Sequence, residues 1–161
     1  MVGRRRQPKP RTAVASLRHV NDELLQSGNG AADEADELLL GLVGTELNQV
    51  VFVMDYLQLG FQDHHRHLIL SCYAWPVLGL SGITHREADP GYADALRSLI
   101  GQTVSGAVSA EGAGLFLEFA GGSAVSIDRE SAADAVVEVA ALESFPDRAL
   151  AVWRLGEPPF D

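Results

Sequence analysis

The chain contains one cysteine, one lysine and two methionines among its 161 residues. The lone cysteine, Cys72, has no partner for an intrachain disulfide, and sparse cysteine is typical of a reducing compartment. No stretch approaches the roughly 18 consecutive apolar residues that predict a membrane span. Near the N-terminus, the apolar segment "AVASL" is interrupted by Arg18 before a signal-peptide core develops. We therefore expect a cytoplasmic protein.

Motifs for nucleophilic catalysis and phosphate binding are also missing. No serine lies in a G-x-S-x-G elbow, since "GLSGI" (79–83) and "GGSAV" (121–125) both depart from that pattern. The glycines of "GNGAAD" and "EGAGLF" do not lie between a predicted strand and a helix, as a phosphate loop requires. The acids Asp55 and Glu111 fall at corresponding turns, where acids are common turn formers. We predict no catalytic residue and no cofactor, and hence a protein that is not an enzyme.

Charge is distributed unevenly along the chain. The net charge is −10, yet residues 1–20 carry six basic side chains and no acid, and the remainder carries 22 acids against six bases. An acidic body repels phosphate backbones, so any nucleic acid would have to bind through the N-terminal tail. Residues 1–12 are basic and contain two prolines, which predicts a disordered tail. Its basic residues are Arg4, Arg5, Arg6, Lys9 and Arg11.

An internal repeat follows a predicted N-terminal helix and linker at residues 13–32. "LLLGLVGTELNQVVF" (38–52) aligns with "ALRSLIGQTVSGAVS" (95–109) at an offset of 57 residues, and "LQLGF" then aligns with "LFLEF". Each unit has the pattern of a helix, a glycine and three short alternating strands, and a repeat identifies the unit that folds. The units span about 33–75 and 89–128.

The predicted fold is α+β. It consists of two pseudo-symmetric repeats, each a helix plus a three-stranded meander, which form antiparallel sheet in a single domain over residues 33–161. A C-terminal segment, 129–161, adds a hairpin, although residues 131–143 are compatible with either helix or strand. The run "VVFVM" (50–54) is apolar at both parities, which predicts a central strand covered on both faces. Asp89 and Pro90 have the pattern of a helix start.

The segment "QDHHRH" holds three of the five histidines of the chain. In an extended conformation, Asp63, His65 and His67 would share one face and could be metal ligands. The second unit has "AGGSA" at this place, however, which indicates a turn between two strands. We favour a solvated turn and no metal, and keep the metal site as the alternative.

Aromatic residues are candidates for an interaction surface, because they anchor protein interfaces well. They fall near the end of the first unit and near the C-terminus: Tyr56, Tyr73, Trp75, Trp153 and Phe160. The competing interpretation is that the two tryptophans fill the core or seal sheet edges.

Three stretches carry a resemblance: "LVGTELNQVVFVMDYLQLGF", "LIGQTVSGAVSAEGAGLFLEFAGG" and "VWRLGEPPF". Over residues 38–160 the chain resembles a group of small uncharacterised proteins of high-GC bacteria, which implies no activity. In its acidity and size it is more loosely similar to immunity proteins of toxin systems, which implies a non-catalytic binding role.

We therefore expect a non-enzymatic protein-interaction module, of immunity type or regulatory, that binds a basic partner through an acidic surface. A homodimer is also compatible with the sequence. The alternatives are a small-molecule or metal-binding domain that uses the histidine-rich hairpin or the cleft between the repeats, and an enzyme of unrecognised type.

Overall fold

A computed structural model describes residues 30–133 and 137–161, with the backbone alone for residues 30–33. The predicted tail at 1–12 and the predicted helix that follows it lie outside the described residues. In chain order the elements are α1 (Gly30–Leu40), β1 (Glu46–Val53), β2 (Tyr56–Gln62), β3 (His67–Cys72), β4 (Val77–Leu80), β5 (Ile83–His85), α2 (Tyr92–Ser98), β6 (Val104–Ala110), β7 (Gly114–Phe119), β8 (Ala124–Asp128), α3 (Arg129–Ala132), β9 (Glu138–Phe145) and β10 (Leu150–Arg154).

The strands form two antiparallel sheets of five strands each. The first sheet has the order β1-β2-β3-β9-β10, and the second has the order β5-β4-β8-β7-β6. The hairpin β4–β5 follows β3 in the chain but joins the second sheet, whereas β9–β10 follows the second meander but joins the first sheet. Each sheet therefore contains strands from both halves of the chain. The predicted α+β class, the antiparallel pairing and the C-terminal hairpin are confirmed.

Alternation of apolar side chains explains the two meanders. In β2, Leu57, Leu59 and Phe61 are fully buried, and the residues between them point the opposite way. Strand β7 buries Leu115 and Phe119 in the same manner. The inward side chains of both sheets belong to one hydrophobic cluster, and each buried Leu or Phe contributes about 1.5–3 kcal/mol.

Helix α1 packs against β6, β9 and β10. Its Leu39 and the following Leu42 are buried in the common core. Asp36 accepts a hydrogen bond from the hydroxyl of Ser109, which pairs in the β6–β7 ladder with the buried Leu115. The helix therefore lies on the inner side of the sheets and leaves the outer face of the first sheet uncovered.

The two sheets are joined where β1 and β6 begin. Glu46 and Thr103 form an antiparallel bridge. Four backbone hydrogen bonds surround it: the amides of Gly44, Leu47, Gly101 and Val104 donate to the carbonyls of Val104, Gln102, Leu47 and Thr45, over 2.9, 3.0, 2.8 and 2.9 Å.

The prediction that "VVFVM" forms a central strand is wrong. Strand β1 is the edge of the first sheet, and Val51 and Phe52 are 38% and 49% exposed. An apolar side chain on the outer parity of a strand does not require a second layer above it. Here that parity belongs to a solvent-facing surface.

The second helix begins later than its sequence pattern indicated. Its N-cap is Gly91, with φ at 85° and no capping side chain. Asp89 instead accepts a hydrogen bond of 2.7 Å from the amide of Arg86, so it forms the preceding turn. In the first unit the helix starts at Gly30, within the stretch predicted as linker.

Strands β4 and β5 were not predicted. Ser81 and Gly82 join them with φ values of 51° and 80°, and positive φ at both positions is the geometry of a tight hairpin turn. The dipeptide between two short apolar runs was the sequence signal. The segment 131–143, which the sequence left open, contains both the end of α3 and most of β9.

Candidate functional site

The histidine-rich segment forms a turn between β2 and β3. One carboxylate oxygen of Asp63 accepts hydrogen bonds from the amides of His65 and Arg66, each at 2.8 Å, and the other oxygen lies 2.9 Å from the Arg66 guanidinium. The backbone is therefore not extended at Asp63 and His65, and His67 is the first residue of β3. These bonds, first that from His65 and then those from Arg66, lower the pKa of Asp63 to about 2.

The turn does not assemble a ligand set for a metal. Both oxygens of Asp63 are bound within the turn, and the ring of His67 packs 6.5 Å from that of Phe145. Over residues 30–133 and 137–161, no three His, Cys, Asp or Glu side chains lie close enough to hold a metal ion together.

Cys72 and Tyr92 are neighbours in the core. Burial raises the pKa of the Cys72 thiol, and burial followed by the charge of a Cys72 thiolate raises the pKa of the Tyr92 phenol. The Tyr92 hydroxyl donates to the carbonyl of Pro76 at 2.5 Å. Both groups therefore stay protonated at neutral pH and anchor packing.

Two of the predicted interaction residues are part of the core. Trp153 is 4% exposed and Phe160 is 1% exposed, because both point inward from the C-terminal segment. A partner cannot reach them in this structure, so their assignment to an interaction surface is corrected to a structural role.

The other three aromatic candidates form a cluster at one end of the first sheet. The rings of Tyr56 and Tyr73 lie 5.4 Å apart, and those of Phe52 and Trp75 lie 6.5 Å apart in a stacked arrangement. Trp75 also meets the edge of Tyr92 at 6.4 Å. Phe52 was missed in the sequence as a surface residue, because its apolar neighbours favoured a covered strand.

A continuous apolar surface extends from this cluster across the outer face of the first sheet. The strand register places Val53 beside Tyr56, and Val51 in the row that ends at Val152. The residues of this surface, which we call the outer face, are Val51, Val53, Tyr56, Ile69, Tyr73, Ala141, Glu143, Phe145, Leu150 and Val152. Single exposed apolar residues are normal, but a contiguous set marks an interaction surface.

Exposure is concentrated on this face. Tyr73, Phe145 and Leu150 are 36%, 38% and 60% exposed. Among the described helices, α1 packs on the inner side, and α2 and α3 pack near strands of the second sheet. The outer face is therefore open to solvent within the described part of the chain.

Acidic side chains accompany the apolar ones. Burial, and then the carboxylates of Glu138 and Glu143 with Tyr56 between them, raise the pKa of Tyr73. Over the described residues the chain carries 19 acidic and six basic side chains. Only Arg154 approaches Glu138, at 3.7 Å, so the negative potential around Tyr73 is largely uncompensated.

A groove opens beside the outer face and shares Tyr73 with it. This Trp75 groove has a volume of about 350 Å³. Aromatic and charged side chains line it: Tyr73, Trp75, Asp55, Arg86, Glu87 and Glu130. Segments distant in sequence contribute to it, since Glu130 belongs to α3 and Asp55 to the turn between β1 and β2.

Within the described chain, no helix has both the length and the apolar character needed to cross a membrane. Comparison of the chain with protein-family models, with curated proteins and with solved structures gives no match in any of the three.

Proposed function

We propose that the protein is a non-enzymatic protein-interaction module, of immunity type or regulatory, and that it binds a basic protein partner through the outer face of the first sheet. The observation that carries the proposal is the clustering of exposed apolar side chains on that one face, with Tyr73 at its end. Interfaces combine apolar contact with a polar rim, and aromatic residues contribute most to their affinity.

The charge of the surface supports a basic partner. Glu143 projects from the middle of the outer face, and Glu138 lies at its end beside Tyr73. With 19 acids against six bases in the described residues, the body attracts a positively charged protein and repels nucleic acid. Such complementarity accelerates association and disfavours wrong partners.

The titratable groups with shifted pKa values support binding rather than catalysis. Catalytic groups need a pKa near the operating pH and access to substrate. Cys72 and Tyr92 are held protonated in the core, and Asp63 is held ionised in a turn.

Site-specific photocrosslinking tests the proposal. p-Benzoylphenylalanine would be placed at Leu150 on the outer face and, as a matched control, at Ile83 on the second sheet, since both positions are 60% exposed. We expect a discrete crosslinked product from Leu150 and not from Ile83, and a purified partner with an excess of basic residues. Equal products at both positions, or none, would overturn the proposal. A product containing two copies of this chain would replace the partner with a homodimer.

Charge reversal then tests the contribution of the acidic surface. We expect Glu143→Lys to weaken binding of the identified partner about tenfold at low salt, because it places like charges opposite each other. Glu111→Lys makes the same change at an exposed turn of the second sheet and should leave affinity unchanged. Equal effects of the two variants would show that the acidic outer face does not direct binding.

We infer further that the two sheets arose from a duplicated unit with pseudo-twofold symmetry. The hydrogen bonds at the joint support this, because the bond from Gly44 to Val104 has a counterpart 57 residues away in the bond from Gly101 to Leu47. The register shift in β1 between Leu47 and Gln49 likewise has a counterpart in β6. The two ladders also revise the alignment of the third strands.

In those ladders Leu59 pairs with Leu70, and Leu117 pairs with Val125. Leu70 therefore corresponds to Val125, whereas the sequence alignment had matched Val125 with Leu68. The reason is the longer turn of the first unit, which contains the histidines and was aligned as if both turns had nearly equal length.

A further inference from the structure

We propose that the Trp75 groove is a site for one cationic side chain, an arginine or lysine that the basic partner inserts beside the outer face. The inference deepens the proposed function and rests on it, since the groove and the outer face share Tyr73. It specifies the chemistry of the contact: a guanidinium or ammonium group against aromatic rings, with carboxylates around it.

The aromatic wall is held in position by the fold. Phe52 stacks on Trp75, and Tyr92 supports it from the side with its edge. Tyr92 is itself 5% exposed and is anchored by its hydrogen bond to Pro76. Trp75 therefore enters the groove in a fixed orientation, and little side-chain entropy remains to be lost when a ligand packs on it.

Charge makes the groove selective for cations. Three carboxylates, from Asp55, Glu87 and Glu130, line it together with one guanidinium, from Arg86. Arg86 lies 3.7 Å from Glu130, and within the described residues Asp55 and Glu87 make no ion pair. The lining thus carries a net charge of −2 at neutral pH, with Asp55 and Glu87 open to an incoming cation.

Size and ring chemistry agree with this ligand. A volume of about 350 Å³ lies at the lower end of pockets that hold small ligands. A cation on an aromatic face is attracted by the ring quadrupole, and tryptophan gives the strongest attraction of the three rings. An uncharged side chain of the same shape would lose both this attraction and that of the carboxylates.

A titration with amino-acid amides tests the site without any partner. Nα-acetyl-arginine amide and Nα-acetyl-lysine amide are the probes, and Nα-acetyl-citrulline amide is the uncharged control of arginine shape. The two tryptophan indole N–H signals are followed by NMR. We expect the charged probes to move the Trp75 signal saturably, to leave the buried Trp153 signal in place, and to bind roughly two- to fivefold more tightly than the citrulline amide.

Variants of the full chain locate the binding. Asp55→Asn should weaken the arginine probe about two- to fivefold, whereas Glu111→Gln, its counterpart at the turn of the second unit, should have no effect. Equal binding of arginine and citrulline amides, or an unchanged affinity in Asp55→Asn, would overturn the cation site. The photocrosslink from Leu150 does not depend on the groove, so a failed titration beside a positive crosslink would sink the groove alone.

One further arm distinguishes the source of the cation. In a variant with all five basic residues of segment 1–12 changed to serine, we expect the Trp75 signal and the probe affinity to match those of the wild type. A shifted Trp75 signal with tighter probe binding would mean that the groove holds the chain's own tail, which would overturn the assignment to a partner.

Discussion

Glu46 and Thr103 pair in an antiparallel bridge, 57 residues apart in the sequence, and the two sheets meet at this bridge. Two residues before each of them stands a glycine, Gly44 and Gly101, with φ values of 88° and 90°. The same backbone turn therefore leads into β1 and into β6. Each glycine amide crosses to the opposite strand, so the joint depends on both turns equally.

The first prediction concerns these two glycines. A Cβ at either position meets no atom within 4 Å, so alanine would act through backbone conformation alone. We expect Gly44→Ala and Gly101→Ala each to lower the free energy of unfolding by about 1–2 kcal/mol, and by the same amount within error. Urea denaturation monitored by circular dichroism gives the values.

Gly79→Ala is the control for this pair. Gly79 has no positive φ, and the nearest atom to its Cβ would be that of Ala124 at 3.8 Å, an ordinary contact. It should change stability by less than about 0.5 kcal/mol. A large cost at only one of the joint glycines would contradict the equal roles of the two turns.

The meander strands could be predicted from the sequence because their signal is local. Leu57, Leu59 and Phe61 alternate with outward residues, and a period of two is sufficient to identify a strand and its inner face. The partner of a strand is not encoded so locally. Leu70 pairs with Leu142 across 72 residues, and nothing in either segment's pattern specifies this exchange of hairpins.

The candidate site was predictable only in part, for a related reason. Tyr56, Tyr73 and Trp75 were identified because aromatic residues are rare and conspicuous in the chain. The apolar run containing Phe52 gave the same pattern for a covered strand and for an exposed binding face, and only the strand order separates them. Glu130 reaches the groove from a distant segment, and no spacing rule connects it to Trp75.

The two tryptophans provide the second prediction, because one is core and the other lines the groove. Trp153 is 4% exposed, so Trp153→Ala should lower the free energy of unfolding by about 3–5 kcal/mol. Trp75 is half-buried, and Trp75→Ala should cost only about 1–2 kcal/mol. Chemical denaturation of both variants measures the difference. A smaller cost for Trp153 than for Trp75 would reverse their assignments.

A third prediction concerns Gly114 at the start of β7. A Cβ at this position would lie 2.0 Å from the carbonyl oxygen of Ile127 and 3.0 Å from the ring of Phe160, and φ is 109°. Neither the strand nor the buried ring can move away cheaply. We expect Gly114→Ala to cost about 3 kcal/mol or more.

Gly112 in the same turn is the matched control. Its φ is 67° and its Cβ would meet nothing within 4 Å, so Gly112→Ala should cost only about 1–2 kcal/mol. Thermal denaturation of the two variants side by side separates the clash from the backbone conformation. Equal costs would mean that the close approach to Ile127 is not rigid.

The fourth prediction is the titration of Asp63. Its carboxylate accepts two amide hydrogen bonds and pairs with Arg66, so its pKa is about 2, below the ordinary 3.8. Because the folded pKa lies below the unfolded one, the contribution of Asp63 to stability is complete above about pH 4 and is lost as the pH falls toward 2. Carbon-detected NMR of the side-chain carboxyl measures the folded value.

Removing the arginine separates the two causes of this shift. Arg66→Ala should raise the pKa of Asp63 only partway toward 3.8, because the amides of His65 and residue 66 still donate to the carboxylate. Arg97→Ala removes an equal charge from an exposed position on α2 and should leave the value unchanged. A return to 3.8 in Arg66→Ala would mean that the ion pair alone holds the turn. The histidines would then be presented by a charge contact, sensitive to salt, and not by the backbone bonds that fix this turn in the structure.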